Sequence, residues 1–327
     1  MTRAPLSAKA LAVRTAATSL FSAHCASRAV GAVFVSSLLV LSGLLVGSGC
    51  AGEAPRTDPL LDQLERFAFV PEASVRIAPG VVVGNARPLL VERFETTREQ
   101  AREWLATQPA DSDRTALMGE SDTALNLPIT GLTLAEARAL CESRGLRLLS
   151  AGAWLRCAVG RTGNEYPFGG RWVSVANTVE LRLGRPVPVG SFGHGASPEG
   201  VHDLVGNVSE WVDDTLEAGS EVAWAMGGAW TQRMRPTVSL GSGGALEVSR
   251  LELDPRTRDE TVGLRACADA QQWLTAHAAQ LPTDAAAKAR LLAIGRAWGP
   301  EAVPLLVNVR STHASVALDW LREGAGS

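Results

Sequence analysis

A predominantly apolar run occupies residues 29–46, close to the start of the chain. Four basic residues and no acidic residue precede Cys50, and the small residues 47–49 stand directly before that cysteine. A basic start, an apolar middle and small residues before the cut are typical of a secretory signal. The run is also near the length that spans a bilayer, so an uncleaved membrane anchor is one alternative and a buried core helix is another. Both the signal and the anchor place the rest of the chain outside the cytoplasm.

Beyond this run the apolar pattern first predicts strands and then helices. The runs 81–83 and 89–91 are rich in Val and Leu and are bounded by glycine, asparagine and proline, which is typical of β-strands. Thr97 is a good N-cap for a helical stretch that ends near residue 106. Thr133 and Glu136 stand at capping-box spacing before a second, clearer helix.

The second half of the chain changes character twice. Residues 160–244 are rich in Gly, Pro and Asn but also carry four Trp, which indicates compact loops rather than disorder. From residue 270 the chain is rich in Ala and Leu and predicts three or four helices, which resemble a HEAT-type repeat or form a plain helical extension. One such unit cannot bury its own apolar face, so it should pack on the main domain or on a partner. The predicted parts are a signal peptide at 1–49, a tether at 50–65, a main domain at 66–269 and a helical extension at 270–327.

The charge of the chain excludes one class of partner. The formal net charge is -3, and the chain without residues 1–49 keeps 27 basic against 34 acidic residues. A mildly acidic protein is a poor candidate for nucleic-acid binding, so no nucleic-acid partner is expected.

A series of short motifs stands in a fixed order along the main domain. The strongest is His-Asp-Leu-Val-Gly-Asn-Val-Ser-Glu-Trp at 202–211, and others are Leu-Pro-Ile-Thr-Gly-Leu-Thr at 127–133, Gly-Gly-Ala-Trp at 227–230 and Gly-Leu-Arg-Ala-Cys at 263–267. The ordered series resembles the formylglycine-generating enzyme (sulfatase-modifying factor) family. The resemblance implies an α+β fold of the C-type-lectin-like kind, with little regular secondary structure. The motif positions expected to be structural are Asn207, Trp211, Gly227, Gly228, Trp230, Gly263 and Arg265.

The start of the chain carries a second resemblance. Small residues followed by Cys50 resemble the lipobox of bacterial lipoproteins, although Gly47 stands where that family prefers Leu. The resemblance implies that Cys50 is lipidated and that the chain is exported. The lipid would anchor the protein to a bacterial membrane, facing the periplasm or the cell surface.

The catalytic residues of the resembled family are missing. Its active members place two cysteines shortly after the Gly-Gly-Ser-Trp motif, where they hold copper. Here Thr-Gln-Arg-Met-Arg-Pro follows at 231–236, and the next cysteine is Cys267. Thiolates are the ligands that bind Cu(I), and the five histidines show no ligand spacing for iron. We therefore expect neither copper nor iron, and no formylglycine formation.

A structural calcium site is the main metal hypothesis. Positions matching Asp203, Gly206, Val208 and Glu210 bind Ca2+ in the resembled family, through two side chains and two backbone carbonyls. Ca2+ prefers such hard oxygen ligands. The alternative is that Asp203 and Glu210 cap turns or form an ion pair with Arg265.

The cysteines of the main domain suggest one covalent link. Cys141 and Cys267 match positions that form a disulfide in some exported members of the resembled family, and an oxidising compartment permits the bond. The alternative is two small buried thiols. Cys157 has no obvious partner and is expected to be buried.

Retained scaffold motifs together with missing catalytic cysteines predict a non-catalytic, membrane-anchored binding or scaffold lipoprotein. Loops at 213–226 and 231–256 would form its variable surface, and its ligand would be an unknown protein, peptide or glycan. The alternative is an oxidase-type enzyme of the same superfamily, which acts on a peptide or small molecule with other residues.

Overall fold

A computed structural model describes residues 58–109, 124–169, 175–214, 221–282 and 284–308. The predicted signal peptide, Cys50, the first part of the tether and the end of the helical extension lie outside the described residues. The described helices are α1 (Pro59–Glu65), α2 (Arg98–Ala106), α3 (Leu134–Ser143), α4 (Ala151–Val159), α5 (Ala270–Ala276), α6 (Ala285–Trp298) and α7 (Ala302–Asn308). Short 3-10 turns lie at Val179–Leu181, Gly193–Gly195 and Ala278–Gln280.

The strands are short and form two four-stranded sheets and two hairpins. They are β1 (Phe67–Val70), β2 (Ala73–Ala78), β3 (Val81–Asn85), β4 (Leu89–Glu92), β5 (Arg147–Leu148), β6 (Ser209–Trp211), β7 (Ala223–Met226), β8 (Val238–Leu240), β9 (Leu246–Val248), β10 (Arg250–Leu253), β11 (Val262–Leu264) and β12 (Ala266–Asp269). The first sheet has the order β1-β4-β12-β5 and is antiparallel, and the second has the order β10-β7-β6-β11, with β11 parallel to β6. The pairs β2-β3 and β8-β9 are hairpins. The architecture is α+β, as the resemblance implies.

Local sequence signals placed the clearest helices correctly. The Thr133 hydroxyl accepts from the backbone N–H of Glu136 at 3.2 Å, and the Glu136 carboxylate accepts from the backbone N–H of Thr133 at 3.0 Å. Thr97 caps α2 in the same way, with Gln100 as the returning side chain. These reciprocal bonds satisfy backbone donors at the helix start that have no partner inside the helix. Among the described residues, no helix is both long enough and apolar enough to cross a membrane.

The first sheet separates two apolar clusters. Successive side chains of a strand point to opposite faces, so Ala266 and Ala268 of β12 pack into one cluster and Cys267 packs into the other. The first cluster also contains buried residues of α1, α3, α5, α6 and α7. The second cluster contains most of α4 together with Trp224 and Met226 of the second sheet.

The predicted disulfide is not formed, because its two cysteines lie in different clusters. Cys141 of α3 packs in the first cluster, whereas Cys267 points into the second and its thiol donates to the Leu148 carbonyl at 3.6 Å. Cys141, Cys157 and Cys267 are free and buried. Burial raises the pKa of the Cys267 thiol to about 12 and also raises the pKa of Cys141 and Cys157. The alternative of small buried thiols describes these residues.

The predicted tether extends too far along the chain. Helix α1 falls inside the range 50–65, and Asp58 caps it by accepting from the backbone N–H of Leu60 at 3.1 Å. Leu60, Leu61 and Leu64 are buried. A segment that buries three leucines is part of the folded domain, so a tether can extend at most to residue 57.

The helical extension packs on the main domain. Trp298 of α6 stacks on Phe69 with ring centroids 6.0 Å apart, and its indole N–H donates to the Phe67 carbonyl at 2.9 Å. Arg290 of α6 forms ion pairs with Asp62 and Glu65 of α1. The sequence predicted that the helical extension packs either on the main domain or on a partner. Its described residues pack on the main domain.

Candidate functional site

The strongest sequence motif forms a tight turn that leads into β6. Asp203 and Asn207 both adopt φ of 57°, and Gly206 adopts 78°. Asn and Asp tolerate this left-handed region better than other residues with a side chain, and glycine adopts it freely. A Cβ at Gly206 would lie 2.4 Å from the Asn177 carbonyl oxygen, so a side chain cannot fit without a backbone shift.

A buried ion pair lies beneath this turn. The Arg265 guanidinium donates to Glu210 at 2.5 Å, and the Trp154 indole N–H donates to the same carboxylate at 2.7 Å. Arg265 also donates to the backbone carbonyls of Glu92 and His202, at 2.9 and 2.7 Å. Arg265 and Glu210 are each 1% exposed. Removing either partner alone would leave an uncompensated buried charge, so we expect the loss of one of them to destabilise the fold strongly.

The predicted calcium ligands fit the ion only in part. Asp203 is buried, and its carboxylate accepts from the backbone N–H of Gly190 at 2.6 Å. The carboxylate of Glu210 is committed to Arg265 and Trp154, which is the ion-pair alternative stated for this residue. Within the described ranges, no three His, Cys, Asp or Glu side chains are arranged to hold a metal ion. Calcium binding therefore stays a prediction.

Sequence reasoning missed a third carboxyl group in the same place. Glu95 is 1% exposed, and its carboxyl group accepts from the backbone N–H of Val208 at 3.0 Å and from the Asn207 side chain at 2.7 Å. Burial raises the pKa of Glu95 well above its usual range, and repulsion from Asp203 and Glu210 adds to the rise. Glu95 lies in the loop between β4 and α2, where no local pattern marks a buried acid.

The Gly-Gly-Ala-Trp motif joins this turn to the second sheet. The carbonyl of Gly227 accepts from the backbone N–H of Gly206 at 3.1 Å, and the backbone N–H of Trp230 donates to the Asn207 carbonyl at 3.0 Å. Gly227 adopts φ of 94°, and a Cβ there would lie 3.0 Å from the Leu204 carbonyl oxygen. Both motifs are therefore parts of one hydrogen-bonded unit.

The other motif residues lie in the core nearby. The Trp211 indole N–H donates to the Leu132 carbonyl at 2.8 Å. A Cβ at Gly263 would lie 2.7 Å from the Ile129 carbonyl oxygen, so β11 passes very close to that segment. This geometry suits the structural role expected for them.

A cleft of about 560 Å³ opens where the chain leaves the Gly-Gly-Ala-Trp motif. A Cβ at Gly228 would meet the side-chain oxygens of Gln232 and Ser249 at 3.1 and 3.9 Å, which places both polar groups beside this glycine. Strands β8, β9 and β10 supply most of the remaining wall. The cleft is lined by Gln232, Arg233, Arg235, Pro236, Ser239, Glu247, Val248, Ser249, Arg250 and Leu251.

The cleft is lined in part by the segment after the Gly-Gly-Ala-Trp motif, which is where the resemblance would place a cysteine pair. Residues 232, 233, 235 and 236 of the segment 231–236 line it, and none of its lining residues is a cysteine. The three cysteines in the described part of the chain are buried in the core. The side chains in the cleft can offer hydrogen bonds and positive charge, but no thiolate.

Comparison with known sequences identifies relatives of the domain that contains this cleft. The sulfatase-modifying factor enzyme 1-like domain matches residues 69–270. The chain is also similar to the inactive C-alpha-formylglycine-generating enzyme 2 of Mus musculus, with 31% identity over 141 residues. That match covers 36% of this chain and 45% of the mouse protein, so the chain spans less than half the length of this relative.

Comparison with solved structures gives more distant likenesses. Treponema denticola variable protein 1 is 14% identical, with 62% of this chain and 94% of that chain covered and a TM-score of 0.47. PvdO from Pseudomonas aeruginosa is 19% identical, with the same coverage and a TM-score of 0.48. The family match extends over more than half of the chain, from β1 to the start of α5. The chain belongs to the family of sulfatase-modifying factor enzyme 1-like domains.

Proposed function

We propose that the protein is a non-catalytic binding module that takes a ligand in the cleft at 232–251. The observation that carries the proposal is the composition of this cleft, which has arginines and no cysteine where the family's catalytic members place their pair. Thiolates are the ligands that bind Cu(I), so the cleft keeps the form of a binding site without that chemistry. The mouse relative is itself named as inactive, which supports the same interpretation.

The ligand role is tested by small molecules that co-purify with the protein. Ser249→Trp would fill the cleft, because the Ser249 hydroxyl lies beside Gly228. We expect mass spectrometry to detect a bound small molecule with the wild-type chain and to lose it with Ser249→Trp. Ser242→Trp is the matched control, since Ser242 is exposed at the tip of the β8-β9 hairpin and does not line the cleft. Equal retention by both variants would contradict the proposal.

The alternative, an oxidase-type enzyme that uses other residues, predicts a different result with the same material. Elemental analysis and oxygen uptake with a cysteine peptide should be measured on full chain purified in a non-ionic detergent without chelators. We expect neither oxygen uptake nor stoichiometric copper or iron. Oxygen uptake together with stoichiometric copper or iron would show that the protein is an enzyme rather than a binding module.

The same elemental analysis tests the calcium prediction. About one calcium ion per chain would support it, and the absence of calcium would leave Glu210 as the ion-pair partner of Arg265.

We further propose that a lipid on Cys50 holds this module at a bacterial membrane. The support is the basic start, the apolar run and the small residues before Cys50. Expression with labelled palmitate should give a labelled wild-type chain in the membrane fraction and an unlabelled Cys50→Ser chain. Cys25→Ser is the control, because Cys25 precedes the apolar run. A Cys50→Ser chain that keeps the label would refute lipidation at this residue.

A further inference from the structure

The cleft carries a charge opposite to that of the chain as a whole. Its lining holds three arginines, Arg233, Arg235 and Arg250, against one acidic residue, Glu247. The formal charge of the lining is therefore +2, and the ion pair of Arg250 with Glu252 beside the cleft reduces the local excess to +1, whereas the whole chain carries -3. Positive charge gathered in a concave site on an acidic protein attracts anions and raises their local concentration.

Arg250 is held in place before any ligand arrives. Its strand, β10, pairs with β7, and its guanidinium lies 4.1 Å from the ring centroid of Trp224, which is 2% exposed. Glu252 forms an ion pair with Arg250 and accepts hydrogen bonds from Arg250 Nε at 2.9 Å and from a terminal guanidinium nitrogen at 2.5 Å. An aromatic face attracts a guanidinium and restricts its rotamers, so less conformational freedom is lost when the group binds an anion.

Arg233 and Arg235 face the cleft from the opposite segment. Both residues are exposed, and within the described part of the chain neither guanidinium donates a hydrogen bond. Glu180 interacts with Arg233 electrostatically, but no ion pair joins them. A guanidinium presents a planar fork of N–H donors that matches the oxygens of a carboxylate or phosphate. These two arginines are therefore available as donors to an oxyanion.

The size of the cleft limits the ligand. Its volume of about 560 Å³ falls within the range of about 300–1,000 Å³ that is usual for small-molecule sites. Gln232, Ser239 and Ser249 add neutral hydrogen-bonding groups to the wall. Neutral polar groups beside arginines suit a ligand that has both oxyanion groups and a polar body.

We propose that this cleft binds a small dianion, as a phosphate monoester or a dicarboxylate, through the guanidinium groups of Arg233 and Arg235, beside the ion-paired Arg250. The inference rests on the proposed function, because it assigns a chemical class to the ligand of the same cleft. Glu247 is the one negative group in the lining and opposes binding of more highly charged anions.

Titration calorimetry on the full chain in non-ionic detergent tests the proposal. The probes are glycerol phosphate, succinate and glycerol, which compare a phosphate dianion, a dicarboxylate and a neutral polyol. We expect at least one anion to bind, glycerol not to bind, and the affinity to fall as salt is added. Arg233→Ala and Arg235→Ala should each weaken binding about tenfold, which is typical for loss of a charged hydrogen bond. Glu247→Gln should strengthen it.

Arg256→Ala is the matched control, since the Arg256 side chain is 88% exposed, pairs with Asp254 and does not line the cleft. Its affinity for the anion should equal that of the wild-type chain. Failure of both anions to bind, or equal loss with Arg256→Ala, would overturn the dianion proposal. If a neutral molecule co-purifies and is lost with Ser249→Trp, the binding module stands and only its ligand class is wrong.

Discussion

Glu95, Asp203 and Glu210 lie close together in the interior, and Arg265 is the cation that interacts with all three. Three ionised carboxylates beside one guanidinium would leave negative charge uncompensated where little water reaches. Burial raises the pKa of Glu95 and of Asp203, which favours a bound proton over the charged form. A calcium ion at the turn would remove the same excess of charge. The predicted calcium ion would therefore compete with protonation of these carboxyl groups.

This competition predicts how stability depends on pH. The folded-state pKa of Glu95 lies above its usual value, so the folded chain keeps a proton that the unfolded chain has lost. The contribution of Glu95 to stability is fully present below the pKa that Glu95 has in the unfolded chain. It is lost as pH rises through the higher pKa that Glu95 has in the folded chain. With chelator present, we expect the Tm of the wild-type chain to fall from about pH 5 upwards. The free energy of unfolding should fall by about 1.4 kcal/mol for each unit by which the folded-state pKa exceeds the unfolded-state pKa.

Glu95→Gln should flatten that dependence, because its side chain no longer titrates. Thermal melting of the wild type and the variant across the same pH series gives the comparison. Glu99→Gln is a suitable control, since Glu99 is exposed on α2 only four positions away. Equal slopes for the wild type and Glu95→Gln would mean that Glu95 is already ionised in the folded protein.

Among the helices and strands, those with strong local signals were predictable. The capping residues fixed the starts of α2 and α3, and the Val- and Leu-rich runs marked β3 and β4. Helix α1 was missed because seven residues contain too few turns to show a periodic pattern. Its leucines pack in a cluster that includes helices more than two hundred residues away, and no local pattern reports such a contact.

The contact of α6 with the first sheet makes a prediction for the helical extension. Trp298→Ala removes a buried ring and its hydrogen bond to the Phe67 carbonyl, so we expect a loss of about 3–5 kcal/mol in the free energy of unfolding. Denaturant unfolding should show one cooperative transition at a lower midpoint. Trp298→Phe keeps a ring against Phe69 and should lose less. A separate early transition of the helices alone would show that the extension is an independent unit.

For the whole molecule, the ordered motifs were enough to identify the family and the α+β class. They also marked the centre of the candidate site, because the motifs at 202–211 and 227–230 are hydrogen-bonded to each other. The sequence could not show that Cys267 lies on the side of the first sheet away from Cys141. Alternation along β12 separates its two faces but does not say which of them α3 covers. The sequence showed only that Arg233 and Arg235 lie in the segment where catalytic members of the family have cysteines. It did not show that they line a cleft. Their convergence with Arg250 depends on the pairing of β10 with β7.

The contact between α1 and α6 gives the folding of this chain a direction. The earliest helix of the described domain finds its ion-pair partner, Arg290, near the other end of the chain. Synthesis from the N-terminus leaves the acidic residues of α1 without Arg290, and its leucines without the apolar residues of α6, until α6 has been made. The first apolar cluster, to which both α1 and α6 contribute, can therefore be completed only late in synthesis, after most of the domain has been made.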